Sequence, residues 1–296
     1  MEIESQKKNL LGTQIEIKLP GKFSYFFPKC FSRLREIENN YSRFIENSQL
    51  SSLNNNLGKW QTASSEFIFL LKKAAELNST TEGHFDIALK TALDSLGYDK
   101  NYSFKKNKKT ESPLHRAASF LQGNICIDEK NSKVLLNKQI DFGGFGKGFA
   151  LDEVASLLEK NNIFHYYINA GGDIMAKSAP DEKEWQILLE HPDDDSRALG
   201  KISLNGEALA ASAPNRRKWG SAHHLLNAKT GIPQNNAKCI FCLAKTGIEA
   251  DAYATAIFCA GFEEGISLSK KLPVQILFVS AQNKVYKSEK FGAEIF

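Results

Sequence analysis

The chain of 296 residues carries 38 basic and 34 acidic side chains, a formal net charge of +4, with 42% hydrophobic and 24% charged residues. That balance excludes a disordered, collagen-like or coiled-coil chain and leaves enough apolar mass for a large packed core. Charges of both signs are mixed along the sequence, so no broad basic face forms and nucleic acid is not an expected partner.

The first twenty residues hold Glu2 and Glu4 and no apolar stretch of signal-peptide length. The longest apolar runs, at 67–71 and 274–279, fall far short of the ~20 residues a membrane helix needs. The expectation is a cytoplasmic protein with no membrane segment, or an exported one had a leader been trimmed. Residues 13–19 (TQIEIKL) alternate with the two-residue period of a half-buried strand. Residues 28–39 and 65–77 space their apolar side chains three and four apart, as amphipathic helices do. Between them, 41–59 is polar and Asn/Ser-rich and reads as a loop, and 86–96 reads as a helix. The lysine-rich run 105–113 reads as a solvated surface excursion.

Strand-like pieces follow at 124–127 and 133–136, then a helix at 147–161 with Leu151, Val154, Leu157 and Leu158 on one stripe. Short Val/Ile/Phe-rich runs at 165–169, 185–189, 201–204, 209–212, 239–244 and 274–280 predict further strands, with helices at 249–259 and 263–272. Strands and helices do not alternate regularly, which favours an α+β fold over a doubly wound parallel sheet. The five cysteines, an odd number scattered along the chain, predict reduced buried thiols rather than a disulfide framework.

Three constellations carry potential chemistry. Asp141-Phe-Gly-Gly-Phe-Gly-Lys147-Gly148 joins a strand to a helix start, where glycines and free N–H groups admit an anion such as phosphate. It fits neither a Walker A loop, which would need glycine at Asp141 and a hydroxyl residue at Gly148, nor the dinucleotide fingerprint, whose third glycine would fall at Phe149. A tight turn with close packing explains the glycines equally well. Asp251 and Thr255 lie one helical turn apart and can converge on one point, a pair of hard oxygen donors suited to Mg²⁺. They could equally serve the helix itself, Asp251 through its dipole and Thr255 through the carbonyl four residues back. His223 and His224 point to opposite faces if they lie on a strand, so at most one serves a given site. By the same alternation Cys239 and Cys242, with no second pair in the chain, read as core.

In order along the chain, Leu11-Gly-Thr13, 41–54 (YSRFIENSQLSSLN), 83–86 (GHFD), 141–152 (DFGGFGKGFALD), 169–173 (NAGGD), 224–233 (HLLNAKTGIP) and 250–255 (ADAYAT) resemble the ApbE-type FAD:protein FMN transferases. The resemblance extends over nearly the whole chain. It implies one ApbE-like, T-fold-like domain over 1–296, with mixed and antiparallel sheets and packed helices. It also implies an enzyme that moves the FMN moiety of FAD onto a Ser or Thr hydroxyl of an acceptor protein with Mg²⁺, releasing AMP. On that resemblance Asp251, Thr255 and the Gly144 carbonyl hold the metal, and Asp141 and Lys147 contact FAD. Tyr41 and Phe44 lie beside the flavin, His84, Phe85, Asp86 and Leu226 line the site, and His224 accepts the proton of the incoming hydroxyl. Two segments depart from the family pattern: Ala211-Ser212-Ala213 replaces Thr-Ser-Gly, and Asn227-Ala228 replaces Asp-Pro. The first loses a hydroxyl and a glycine, the second a negative charge. Hydrolysis of FAD to FMN and AMP, or flavin binding without catalysis, are the alternative functions.

Overall fold

The computed structural model describes residues 2–99, 124–220 and 222–296, so the predicted excursion at 105–113 lies outside the described residues. A hairpin of β1 (Ile3–Leu10) and β2 (Thr13–Pro20) opens the chain. It is followed by α1 (Phe27–Tyr41), α2 (Gln49–Asn55), β3 (Trp60–Thr62), α3 (Ser65–Thr80) and α4 (Lys90–Ser95). Next come β4 (Ile125–Asp128), β5 (Lys133–Leu136), α5 (Gly146–Glu159), β6 (Tyr166–Ala170) and β7 (Asp173–Lys177). Then follow β8 (Trp185–His191), β9 (Asp194–Leu204), β10 (Ala208–Ser212) and four two-residue strands. These are β11 (Lys218–Trp219), β12 (Ala222–His223), β13 (Leu226–Asn227) and β14 (Ile232–Pro233). The chain ends with β15 (Ala237–Ala244), α6 (Gly247–Ala260), α7 (Phe262–Ser269), β16 (Gln275–Ser280), β17 (Val285–Lys287) and β18 (Glu294–Ile295).

Eight strands form one sheet in the order β1-β2-β6-β7-β10-β15-β16-β17, with every neighbouring pair antiparallel. An antiparallel sheet presents alternate side chains to its two faces, and here both faces are covered. Ile15, Ile17 and Leu19 of β2 and Ile240 and Cys242 of β15 pack into a core shared with α1, α3, α5 and α6. Tyr167, Cys239 and Phe241 face the other way, against the small sheet β18-β9-β8. Cys239 and Cys242 thus sit on opposite faces, and all five thiols are free.

Helix α6 is the centre of the helical layer. Twelve of its fourteen residues are buried, as expected of a helix apolar on every side, and its many alanines let neighbours approach closely. A carboxylate in such a helix demands partners, which makes Asp251, 3% exposed, the first side chain to account for.

Two expectations need correction. The stretch 41–59 is not all loop: Ser48 caps α2 by accepting the Ser51 N–H, and Leu50 and Leu53 anchor that turn in the core. Two apolar residues on a seven-residue helix are too few for a periodic signal. The helix expected at 86–96 splits into a 3₁₀ turn at Ile87–Leu89 and α4.

Candidate active site

The floor of the site is the crossing of α5 and α6. A Cβ on Gly148 would lie 2.0 Å from the Gly247 carbonyl oxygen, and one on Gly247 would lie 2.4 Å from that of Gly148. Only glycine at both positions lets the helices touch backbone to backbone. Asp152 of α5 accepts the N–H groups of Gly247 at 2.6 Å and Ile248 at 2.9 Å, while Thr246 accepts that of Glu249. Three orphan donors at the start of α6 are satisfied this way, and the helix is fixed in rotation and height against α5. Gly148 is therefore a packing glycine, whereas Gly144 lies on the loop before α5, its Cα facing Phe85 and Thr255.

That lock brings the oxygen donors together. The Thr255 hydroxyl donates to the Gly144 carbonyl at 3.4 Å rather than to its own helix, and Asp251 accepts the Gly148 N–H at 3.0 Å. Lys147 lies 3.2 Å from Asp251 and forms a second ion pair with Asp173. Burial alone would push Lys147 down, but Asp173 and Asp251 outweigh it and hold the ammonium charged. Asp173, 2% exposed, is set by the tight β6–β7 turn, where Gly171 and Gly172 take positive φ and Asn169 accepts the Gly172 N–H at 2.8 Å. Its other oxygen accepts the Ala211 N–H at 3.0 Å. One ammonium facing two carboxylates leaves a negative charge in excess. Together with a carbonyl and a hydroxyl, this is a donor set fit for a hard divalent cation.

A second ion-pair group forms the adjoining wall. Arg43, 7% exposed, reaches Asp94 at 2.5 Å and Asp141 at 3.1 Å, donates to the Tyr98 carbonyl at 2.6 Å, and stacks under the rings of Phe44 and Tyr98. The loop carboxylate Asp141 also accepts the Gly143 N–H at 3.0 Å. The Tyr41 hydroxyl is turned away, donating to Glu66 at 2.5 Å.

The third wall is built from the short strands β11 to β14. His223 and His224 do point apart. His223, 1% exposed, packs edge-on to Phe258 and accepts the Leu225 N–H at 3.2 Å. His224 lies beside Tyr98, and its buried Nδ1 has no hydrogen-bond partner. Burial, and then the nearby Arg217 charge, pushes the His224 imidazole down to about 3, so it is neutral at physiological pH. Asn227 ties this wall to α6: its amide donates to the Cys259 carbonyl at 3.1 Å, and its oxygen accepts the Lys229 and Thr230 N–H groups. Lys229 in turn lies 2.8 Å from His84 Nε2, whose ring is also 3.1 Å from Glu264.

The three walls enclose a cavity of about 1160 Å³, larger than the usual pocket for a drug-sized ligand and of a size for a dinucleotide. All twelve residues singled out from the sequence line it: Tyr41, Phe44, His84, Phe85, Asp86, Asp141, Gly144, Lys147, His224, Leu226, Asp251 and Thr255. Sequence reasoning assigned nothing to Asp173, Arg43 and Arg217, which line it or brace it. Asp173 had a readable signal, since a Gly-Gly hairpin turn fixes the residue that follows it. The two arginines had none.

Residues 11–278 match the model of the ApbE family. A Haemophilus influenzae protein named FAD:protein FMN transferase is 29% identical over 86% of this chain and 79% of its own length. One of the same name from Vibrio cholerae is 25% identical over 87% and 81%. Among solved structures, the ApbE protein of Thermotoga maritima matches with a TM-score of 0.89 at 23% identity, over 99% of this chain and 100% of that one. The apo flavinyl transferase ApbE of Pseudomonas stutzeri matches at 0.87 and 20%, over 99% and 98%. Among the described residues no helix is long and apolar enough to cross a membrane. With the family model covering most of its length, the chain belongs to the ApbE family.

Proposed function

We propose that this protein is an FAD:protein FMN transferase, moving the FMN portion of FAD onto a Ser or Thr hydroxyl of an acceptor protein with magnesium bound. The observation that carries the reading is the meeting of Gly144, Lys147, Asp251 and Thr255 in one cavity with His224. The Gly144 carbonyl, the Asp251 carboxylate and the Thr255 hydroxyl would hold the metal, which supplies positive charge to anchor and polarise the pyrophosphate. Lys147 supports the phosphates from the floor, held in place by Asp173. Tyr41, Phe44, Phe85 and Leu226 offer apolar surface to the flavin, and His84, Asp86 and Asp141 line its approach.

In the reaction, the acceptor oxygen bonds to the FMN phosphorus while the pyrophosphate P–O bond breaks, and AMP leaves with that electron pair. The hydroxyl proton passes to the His224 imidazole, which is neutral before the reaction. A bound pyrophosphate offsets the Arg217 charge and raises the imidazole's proton affinity when it is needed. The departure at Asn227 is compatible with this chemistry, because the amide builds the turn through its own hydrogen bonds.

Incubation with FAD, Mg²⁺ and a Thr- or Ser-bearing acceptor is expected to give a covalently fluorescent acceptor and one AMP per transfer. FMN and AMP released without an acceptor would instead indicate hydrolysis, and FAD bound without AMP release a non-catalytic flavin protein.

A further inference from the structure

Arg217 ends the 3₁₀ turn Asn215–Arg217, its N–H donating to the Pro214 carbonyl at 3.1 Å, and it lines the same cavity. Its guanidinium reaches the β1–β2 turn, with Nη2 3.9 Å from where a Gly12 Cβ would stand. That turn lies against the phosphate floor: a Cβ on Gly171, two residues before Asp173, would sit 2.2 Å from the Thr13 hydroxyl. Across the β11–β12 pair Lys218 stands opposite His223, which sets Arg217 beside His224. Arg217 therefore stands between the β1–β2 turn, which lies against the floor, and the wall that carries His224.

The charges around it are unequal. Lys147 faces two carboxylates, Asp173 and Asp251, and Arg43 faces two more, Asp94 and Asp141. Among the described residues no carboxylate pairs with Arg217. A guanidinium left without an anion in a cavity built for a dinucleotide is a ready fork for phosphate oxygens.

We infer that Arg217 is a substrate-binding catalytic residue that holds the non-bridging oxygens of the phosphoryl group being transferred. This inference rests on the transferase reading. Standing beside the proton acceptor places Arg217 at the phosphorus under attack rather than at the adenosine end. In phosphoryl transfer the charge spread over those oxygens is what a cation must meet.

Flavin binding, followed by fluorescence quenching in magnesium buffer, separates the possibilities when FAD, FMN and riboflavin are compared, since riboflavin has no phosphate. For Arg217→Ala we expect FAD and FMN affinity to fall on the order of tenfold to a hundredfold, as for loss of a charge-assisted hydrogen bond. Riboflavin binding is expected to stay unchanged, and Arg217→Lys to recover part of the loss. Normal FMN binding by Arg217→Ala, or an equal loss for riboflavin, would overturn the inference. Absence of binding of all three flavins by the unaltered protein is a different result, which removes the transferase reading and this assignment with it.

Discussion

The α5–α6 floor and the β11–β14 wall meet the same cavity but are held by opposite means. The floor is fixed by contact: two glycines with no room for a methyl group and a carboxylate capping the next helix. The wall consists of paired two-residue strands tied to the rest of the fold by side-chain hydrogen bonds from Asn227 and Gln234 to the Cys259 carbonyl and by Lys229 against His84. On the proposed function the floor would hold a metal, which needs oxygen positions reproducible to a fraction of an ångström, and backbone-to-backbone packing supplies that. On the same reading the wall would carry the proton acceptor and the entry for a protein hydroxyl, which need access rather than rigidity. The floor thus carries precision and the wall carries admission.

Four substitutions test this division, the largest effect first. Asp251→Ala removes the acceptor of the Gly148 N–H and a donor oxygen of the cluster. AMP release is expected to fall on the order of a hundredfold to a thousandfold, while circular dichroism shows a folded protein. Turnover at the native rate would break the assignment of the floor. Gly148→Ala forces a methyl group onto the Gly247 carbonyl. It is expected to cost about 3 kcal/mol or more in denaturant unfolding, and an unchanged midpoint would show that the helices are free to separate.

The third test sets pH against the wall. The His224 imidazole is pushed down to about 3 in the folded protein, whereas an unfolded histidine titrates near 6.5. Below pH 6.5 the unfolded chain takes up a proton that the folded chain refuses, so stability falls as pH drops and is unaffected above. Relative to His224→Gln, the native protein is expected to lose up to about 1.4 kcal/mol per pH unit below 6.5; parallel melting curves from pH 7 to pH 5 would contradict this. Fourth, Asn227→Ala is expected to cost only about 1 kcal/mol globally but to speed amide exchange at Lys229, which loses its acceptor, more than at Thr230, which keeps the Asn227 backbone carbonyl. Unchanged exchange there would mean that the wall is held by something else.

How much of this was legible depended on whether a residue's placement is local. The faces of β2 and α3 follow from period alone, because burial on one side leaves a regular trace. Strand β1 left none: six consecutive exposed positions at the sheet edge select no apolar pattern. The convergence of Asp251 and Thr255 was visible as one helical turn. Their meeting with Gly144, 111 residues from Thr255 in the chain, was not, since it depends on the Gly148–Gly247 contact. Only the order of the motifs pointed to it. Arg43 and Arg217 escaped altogether, because an arginine in a polar or basic stretch reads as surface until the fold closes over it.

Four of the five cysteines are sealed in the core, and burial pushes the Cys30, Cys239 and Cys259 thiols up to about 12 and Cys242 in the same direction. Since alkylating reagents attack only the thiolate, these sulfurs form a built-in alarm. With the half-buried Cys126 changed to serine, iodoacetamide would stay silent on the intact molecule and report, at four depths, each moment its interior comes apart.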